Sequence, residues 1–484
     1  MKSFLSLSEA MPRMMDNPFV DPANWQMQEG EVWALTGGNG SGKSLLAGMI
    51  AGKCALQHGE ITYSFAEAVH LQFPDKPFHP WEHVRLVGFH AAYSLADYRT
   101  LYYQQRYHQT ETDDSPLVRD ILAEEERESM VAEALQIEHL LDKRLIQLSS
   151  GELRKLLIAK VMTGNPRLVI FDNPFIGLDA TSRALLDDLF TGLHRHGMPL
   201  IFLCASQREM PSCVTHVLQM SHCAIVNQMP VGQFCELHTD VPAYLFDTSV
   251  DGSLFGHSVV STEDYAIAVK MEHVNIEYGT KVIRKDVNWT ILKGEKWALA
   301  GPNGAGKSTL LSYIFADNPQ AYSKQLTLFD RLRGTGESIW EIKARIGFTS
   351  SEMHLYYREN VSCLAVVASG FFDSIGLYRK CSEQQMQQAE QWLKLLESEH
   401  LKDRMFLKIS SGEQRLVLFA RALVKNPALL ILDEPFHGLD DRKKALCRHI
   451  VETYASQPDK TLIYVTHHRE EIPDCVGRYM ELGF

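Results

Sequence analysis

The feature that most limits what this chain can become is a long-period repetition. Gly37-Gly38-Asn39-Gly40-Ser41-Gly42-Lys43-Ser44 returns 264 residues later as Gly301-Pro302-Asn303-Gly304-Ala305-Gly306-Lys307-Ser308-Thr309. Leu148 to Glu152 returns 261 residues later as Ile409 to Glu413, and Leu168 to Asp179 returns at the same offset as Leu429 to Asp440. A steady offset with motifs in one order means two related domains in tandem and excludes a short-period solenoid. The expected division is residues 1–238, a linker at 239–265, and residues 266–484.

Each repeated motif has a chemistry. Trp33 to Thr36 and Trp297 to Ala300 read as short buried strands feeding a Gly-rich turn, and apolar helices follow at Leu45 to Ala51 and Leu310 to Phe315. Strand, loop and helix form the context of a phosphate loop, whose N–H groups and helix N-terminus face phosphate oxygens. Gly37, Asn39, Gly40, Gly42, Gly301, Asn303, Gly304, Gly306 and Thr309 are the loop residues. Lys43 and Lys307 are placed to reach terminal phosphates, and Ser44 and Ser308 to ligate Mg²⁺. Four aliphatic residues, Leu429 to Leu432, read as a strand buried on both faces and ending in Asp433-Glu434. There Asp433 can hold a phosphate-bound Mg²⁺, as can Asp172 in the first half, and Glu434 can polarise a water.

Composition restricts the partners. With 60 acidic and 48 basic residues the net charge is -12, which argues against a nucleic-acid partner because phosphate contacts need clustered Lys and Arg. Nine scattered cysteines show no zinc spacing and read as reduced thiols. No apolar run reaches the roughly 18 residues that span a bilayer, and the N-terminus lacks a secretory pattern. A cytoplasmic protein is expected, peripheral at the inner face of the membrane where a partner recruits it.

Between phosphate loop and carboxylate strand, Asp120 to Leu141 and Ser382 to Leu401 read as helices. Met386, Ala389, Trp392, Leu393 and Leu396 fit a core face better than a partner surface. The aromatic stretch from Pro74 to Tyr107 is read equally as subdomain packing or as an interaction surface.

Together the phosphate loops, the Ser-Ser-Gly-Glu turns, the carboxylate strand and a strand ending in His467 resemble the ATP-binding cassette ATPases, twice over and across nearly the whole chain. The resemblance implies an α/β fold of two P-loop domains, each with a mixed sheet core and a helical subdomain. It implies ATP and Mg²⁺ as ligands and hydrolysis carried by Glu434, His467 and Lys307. It also implies pairing of the two cassettes within one chain, each nucleotide meeting the signature turn of the other half: Ser149, Gly151 and Glu152, or Ser410, Gly412 and Glu413. Ser150 and Ser411 stand where the family signature has glycine.

The halves are chemically unequal. Asn173 stands where the second half has Glu434, and Asn can hydrogen-bond a water but cannot accept its proton. Ser206 stands where the second half has His467. Tyr278, placed where the family stacks adenine on an aromatic ring, has no aromatic counterpart among Met11 to Met15. The first site is therefore read as binding ATP without turning it over well.

Asn318 to Ser323, Gly334 to Trp340 and Gly370 to Tyr378 are similar to the ModF-type tandem-cassette family associated with molybdate uptake. That resemblance implies the ATPase of an oxyanion importer, partnered by a membrane permease. Two departures weigh against direct coupling. Ala91 or His90 and Ser350 or Ser351 replace the family's permease-contacting glutamine, and the 17 residues after His467 are too few for an oxyanion-binding domain. The alternative is a soluble nucleotide-dependent switch acting outside transport, as on ribosomes, although the linker here is short and the surface acidic.

Overall fold

The computed structural model describes residues 3–14, 19, 21–88, 116–124, 130–145, 148, 150–176, 178, 180–237, 264–278, 281–302, 304–350, 353, 357, 359–466 and 469–483. The chain divides into two compact units.

In the first, a six-stranded sheet runs in the order Val84–Val87, Leu168–Asp172, Leu200–Cys204, Val32–Thr36, His216–Ser221, Ala224–Pro230. All neighbours are parallel except the last pair. Leu168, Val169, Ile170 and Phe171 are all buried because both faces of the sheet are covered, which is why the run is continuously apolar rather than alternating. One face packs on the helix Lys43–Ile50 and on an antiparallel sheet, Ala23–Gln28, Ser3–Pro12, Leu56–Tyr63, through Trp25, Trp33, Leu46 and Ile50. The other face meets the helices Ser150–Thr163 and Ala180–Arg195 through Leu156, Leu157, Leu186 and Phe190.

The second unit repeats this plan. A five-stranded, wholly parallel sheet orders Ile346–Ser350, Leu429–Asp433, Thr461–Val465, Lys296–Ala300 and Arg478–Glu481. Beside it lies an antiparallel sheet of Lys281–Leu292, Ile267–Tyr278, Gln325–Leu328 and Arg331–Leu332. The repetition reaches single contacts. Trp33 Nε1 donates to Glu31 at 2.9 Å and meets Trp25 edge-on at 5.2 Å; Trp297 Nε1 donates to Glu295 at 2.9 Å and meets Trp289 at 5.7 Å.

Parallel pairing in register positions the site. Thr36 lies opposite Cys204 and Asp172 opposite Leu203; Asp433 lies between Ser350 and Val465. The phosphate loop, the carboxylates and the stretch after the next strand thus leave the sheet at one edge, the carboxyl ends of the strands, where ligands of α/β sheets bind.

Several sequence readings are modified. Asp120 to Leu141 is not one helix: Val118–Ile121, Met130–Ala134 and a 3₁₀ turn Glu138–Leu140 are separate, and Gln136 breaks the run with φ 53°. The second-half counterpart is the helix Glu383–Leu395, started by a Ser382 and Gln385 capping box, and Ala389, Trp392, Leu393 and Leu396 are buried as a core face. Phe78 packs on Tyr63, Phe65 and His83 as subdomain packing, whereas Trp81 is 47% exposed and stacks on His79; 89–107 lies outside the described residues. Of the expected linker only Asp264 and Tyr265 are described, and Tyr265 is buried against Phe329 of the second unit.

Candidate functional site

Both phosphate loops are built by glycines that no other residue replaces cheaply. Gly37 and Gly301 have φ of 143° and 153°, and an added Cβ would fall 2.1 Å from Met220 O and 2.5 Å from Leu482 O. Gly42 and Gly306, at φ 97° and 89°, precede the helices Lys43–Ile50 and Lys307–Ile314 without a side-chain cap. The first N–H groups of each helix are left for an anion, the electrostatics that a phosphate requires. Gly40 and Gly304 turn the loop at φ 77° and 82°, with Asn39 half-buried beside Gly40.

Lys43 Nζ donates to Gly37 O at 2.6 Å and Gly38 O at 2.9 Å; Lys307 Nζ donates to Gly301 O at 2.6 Å and Pro302 O at 3.0 Å. The loop carbonyls thus hold each ammonium over the cradle. Burial lowers the pKa of Lys43, with Asp172 the main opposing influence. Thr309 is buried, whereas Ser44 and Ser308 are exposed at the start of their helices. Ser44 Oγ lies 3.5 Å from Asp172 Oδ2. A hydroxyl beside a carboxylate, with Ser308 and Asp433 at the equivalent places, is the sparse hard-oxygen set that suits Mg²⁺ sharing its remaining positions with phosphate and water. Among the described residues no three His, Cys, Asp or Glu side chains gather as a metal cage.

At the ends of the carboxylate strands the two halves share a backbone and differ in chemistry. Asn173 N–H donates to Leu203 O and Glu434 N–H to Val465 O, both at 2.9 Å, and both residues sit at φ 49°. That left-handed conformation suits Asn; for Glu it costs on the order of 1 kcal/mol. Glu434 is therefore held against local preference. It is 8% exposed, and His437 Nδ1 approaches its Oε2 to 3.0 Å, an ion pair by distance whose angle is not that of a directed hydrogen bond. Burial is the largest influence on the His437 pKa and lowers it, but the interactions with Glu434, helped by the charge of Glu471, together leave the imidazole raised. In the first half Asn173 Nδ2 donates instead to Asp172 Oδ1 at 2.8 Å, and Ile176 takes the place of His437.

Sequence reasoning missed a buried arginine in each half. Arg154 Nη1 donates to Asn173 O at 3.2 Å, Pro174 O at 2.6 Å and Ile176 O at 2.7 Å, and Arg415 Nη1 to His437 O at 2.8 Å. Each springs from the helix that begins at the signature turn, so that helix fixes the loop carrying Asn173 in the first half and Glu434 in the second. The signal was present: Arg recurs two residues after Glu152 and Glu413.

The signature turn itself is a helix cap. Ser410 Oγ accepts from Glu413 N at 3.3 Å, and Glu413 Oε2 accepts from Ser410 N at 2.8 Å and Ser410 Oγ at 2.6 Å. This capping box starts the helix Ser411–Leu423, in which Gly412 is buried. In the first half Gly151 lies in the helix and Glu152 pairs with Lys143 at 2.6 Å. Ser206 is buried just past the Leu200–Cys204 strand. Ser149, Asn303 and His467 lie outside the described residues, as does the side chain of Tyr278, which ends the Ile267–Tyr278 strand.

Three comparisons bear on this geometry. A family profile described as "ABC transporter" matches residues 20–176 and 284–437. The chain is similar to the ABC transporter ATP-binding protein ModF of Escherichia coli (strain K12), 34% identical over 489 residues, covering 99% of this chain and 96% of that protein. It is also similar to an uncharacterized ABC transporter ATP-binding protein of Schizosaccharomyces pombe (strain 972 / ATCC 24843), 30% identical over 95% of this chain and 94% of that one. Among solved structures, archaeal ribosome recycling factor aABCE1 in complex with ribosomal stalk protein aP1 matches with TM-score 0.53 at 18% identity, covering 98% of this chain and 87% of that one. That last likeness speaks to the fold alone.

Proposed function

The chain belongs to the ABC transporter family as a ModF-like tandem-cassette ATP-binding protein, and on that premise we propose that both halves bind ATP with Mg²⁺ while the second half hydrolyses it. The carrying observation is the pair of matched backbones with unmatched chemistry: Glu434 and His437 at one, Asn173 and Ile176 at the other. Lys307 and the N–H groups at the start of its helix bind the terminal phosphates. Glu434 takes the proton of the attacking water, and His467 contacts the terminal phosphate. Ser308 and Asp433 would hold Mg²⁺, with Ser44 and Asp172 their first-half counterparts; the ion supplies charge neutralisation on the phosphates when bound. Ser149 to Glu152 and Ser410 to Glu413 complete the nucleotide sites, and Tyr278 stacks on adenine.

The role we assign is the ATPase of, or associated with, an oxyanion import system of the molybdate class, acting at the inner membrane face through a permease. Among the described residues no helix is long and apolar enough to cross a membrane, so a spanning function falls to a partner. Native co-purification tests the reading: a membrane permease should accompany the chain. Salt-sensitive association with ribosomes, and no permease, would replace it with the switch reading. Steady-state hydrolysis tests the chemistry, which fails if Glu434→Gln retains full turnover.

A further inference from the structure

The structure assigns His437 the task of positioning Glu434, a role that rests on reading Glu434 as the base that activates water. The ring lies within ion-pair distance of the carboxylate, at 3.0 Å, with His437 only 5% and Glu434 only 8% exposed. A carboxylate removed from water needs a partner of opposite charge or a donor, and a three-torsion side chain on a left-handed backbone has no intrinsic reason to point one way. His437 is itself anchored, because Arg415 Nη1 donates to its carbonyl oxygen at 2.8 Å. Glu471 and Lys444 also act on it electrostatically.

The first half is an internal control. Arg154 pins the Ile176 carbonyl as Arg415 pins that of His437, at 2.7 Å and 2.8 Å, so the scaffold needs no imidazole there. The half without the carboxylate also lacks the histidine, and Asn173 finds its partner in Asp172. An imidazole required only for packing or for the turn would be expected in both halves.

The test compares H437I, which installs the first half's residue, with H437N, which keeps a donor near the Nδ1 position, alone and combined with E434Q in the full chain. H437I should lower kcat about 10- to 100-fold, the scale of a misplaced catalytic group, with KM for ATP within about twofold. H437N should recover most of that loss, and E434Q/H437I should turn over at the rate of E434Q alone. An unchanged kcat in H437I overturns the assignment. So does a further loss of the same size in the E434Q background, since the effect would then not pass through Glu434. Should H437I fail to fold, H437N decides: a kcat as low as that of E434Q with a normal thermal midpoint rules the assignment out. Full turnover by E434Q would instead remove the base reading itself, a separate failure.

Discussion

The two halves share the same turn after the carboxylate strand and use it for different ends. Both reach φ 49°, both return an N–H to the neighbouring strand at 2.9 Å, and both are pinned by an arginine from the signature helix. In the first half the residue is Asn, which favours that conformation and hydrogen-bonds its neighbour Asp172. In the second it is Glu, which does not favour it and is instead paired with His437. Backbone strain kept at one copy and relaxed at the other points to function at the strained copy. A fold duplicated in tandem thus separates what the scaffold requires, present twice, from the Glu434 and His437 pair, present once.

The sharpest way to break this comparison is kinetic. A positioned general base contributes about 10² to 10⁴ in rate, so Glu434→Gln should remove nearly all steady-state ATP hydrolysis while sparing ATP binding. Asn173→Ala should change the rate by less than about twofold, because no proton acceptor is lost there. Asn173→Glu should restore little, since Ser206 stands where the second half has His467. Equal losses in Glu434→Gln and Asn173→Ala, measured as kcat on purified protein, would mean the two sites act alike.

How far this was legible in the sequence depends on the kind of interaction. Periodicity and repetition gave the carboxylate strands, the phosphate loops and their helices, because those depend on local pattern and on glycines with positive φ. The Asn173 and Glu434 contrast was visible by aligning the halves. The pinning arginines were not recognised, because a buried cation is justified only by carbonyls about 20 residues away that folding brings to it. His437 was passed over for a related reason: three positions from Glu434 it reads as a turn residue until the ring is seen against the carboxylate. The interrupted helix near Gln136 shows the limit of pattern, since Glu- and Ala-rich composition suggested a continuity the backbone does not keep.

An intermediate effect concerns the shared scaffold. Arg154 is 6% and Arg415 4% exposed, and their removal takes a charged donor from the carbonyls of Asn173, Pro174 and Ile176 and from that of His437. Arg154→Met should destabilise the first unit by roughly 2 to 4 kcal/mol, given three carbonyl contacts and charged donors worth about 1.5 to 3 kcal/mol each before compensation. Arg415→Met should cost stability in the second unit and lower kcat as well, because its loop also carries Glu434. Thermal unfolding and ATPase assays on both variants separate the cases. Loss of hydrolysis in Arg154→Met with an undisturbed melting profile would show that the first half's loop is catalytic after all.

The smallest expected effect tests the exchange of backbone fitness for chemistry. Asn173→Glu replaces a residue suited to φ 49° with one that is not, sets a second carboxylate beside Asp172, and offers it Ile176 rather than an imidazole. A loss of about 1 kcal/mol is expected, a drop of about 2 to 4 °C in the first unit's unfolding midpoint for a domain of this size. Adding Ile176→His to Asn173→Glu should return part of that loss by recreating the second half's ion pair, while leaving turnover low. If Asn173→Glu proves neutral, the strained conformation carries no cost and the argument from backbone preference fails. If Ile176→His adds nothing to it, the carboxylate in the second half is held by something other than His437.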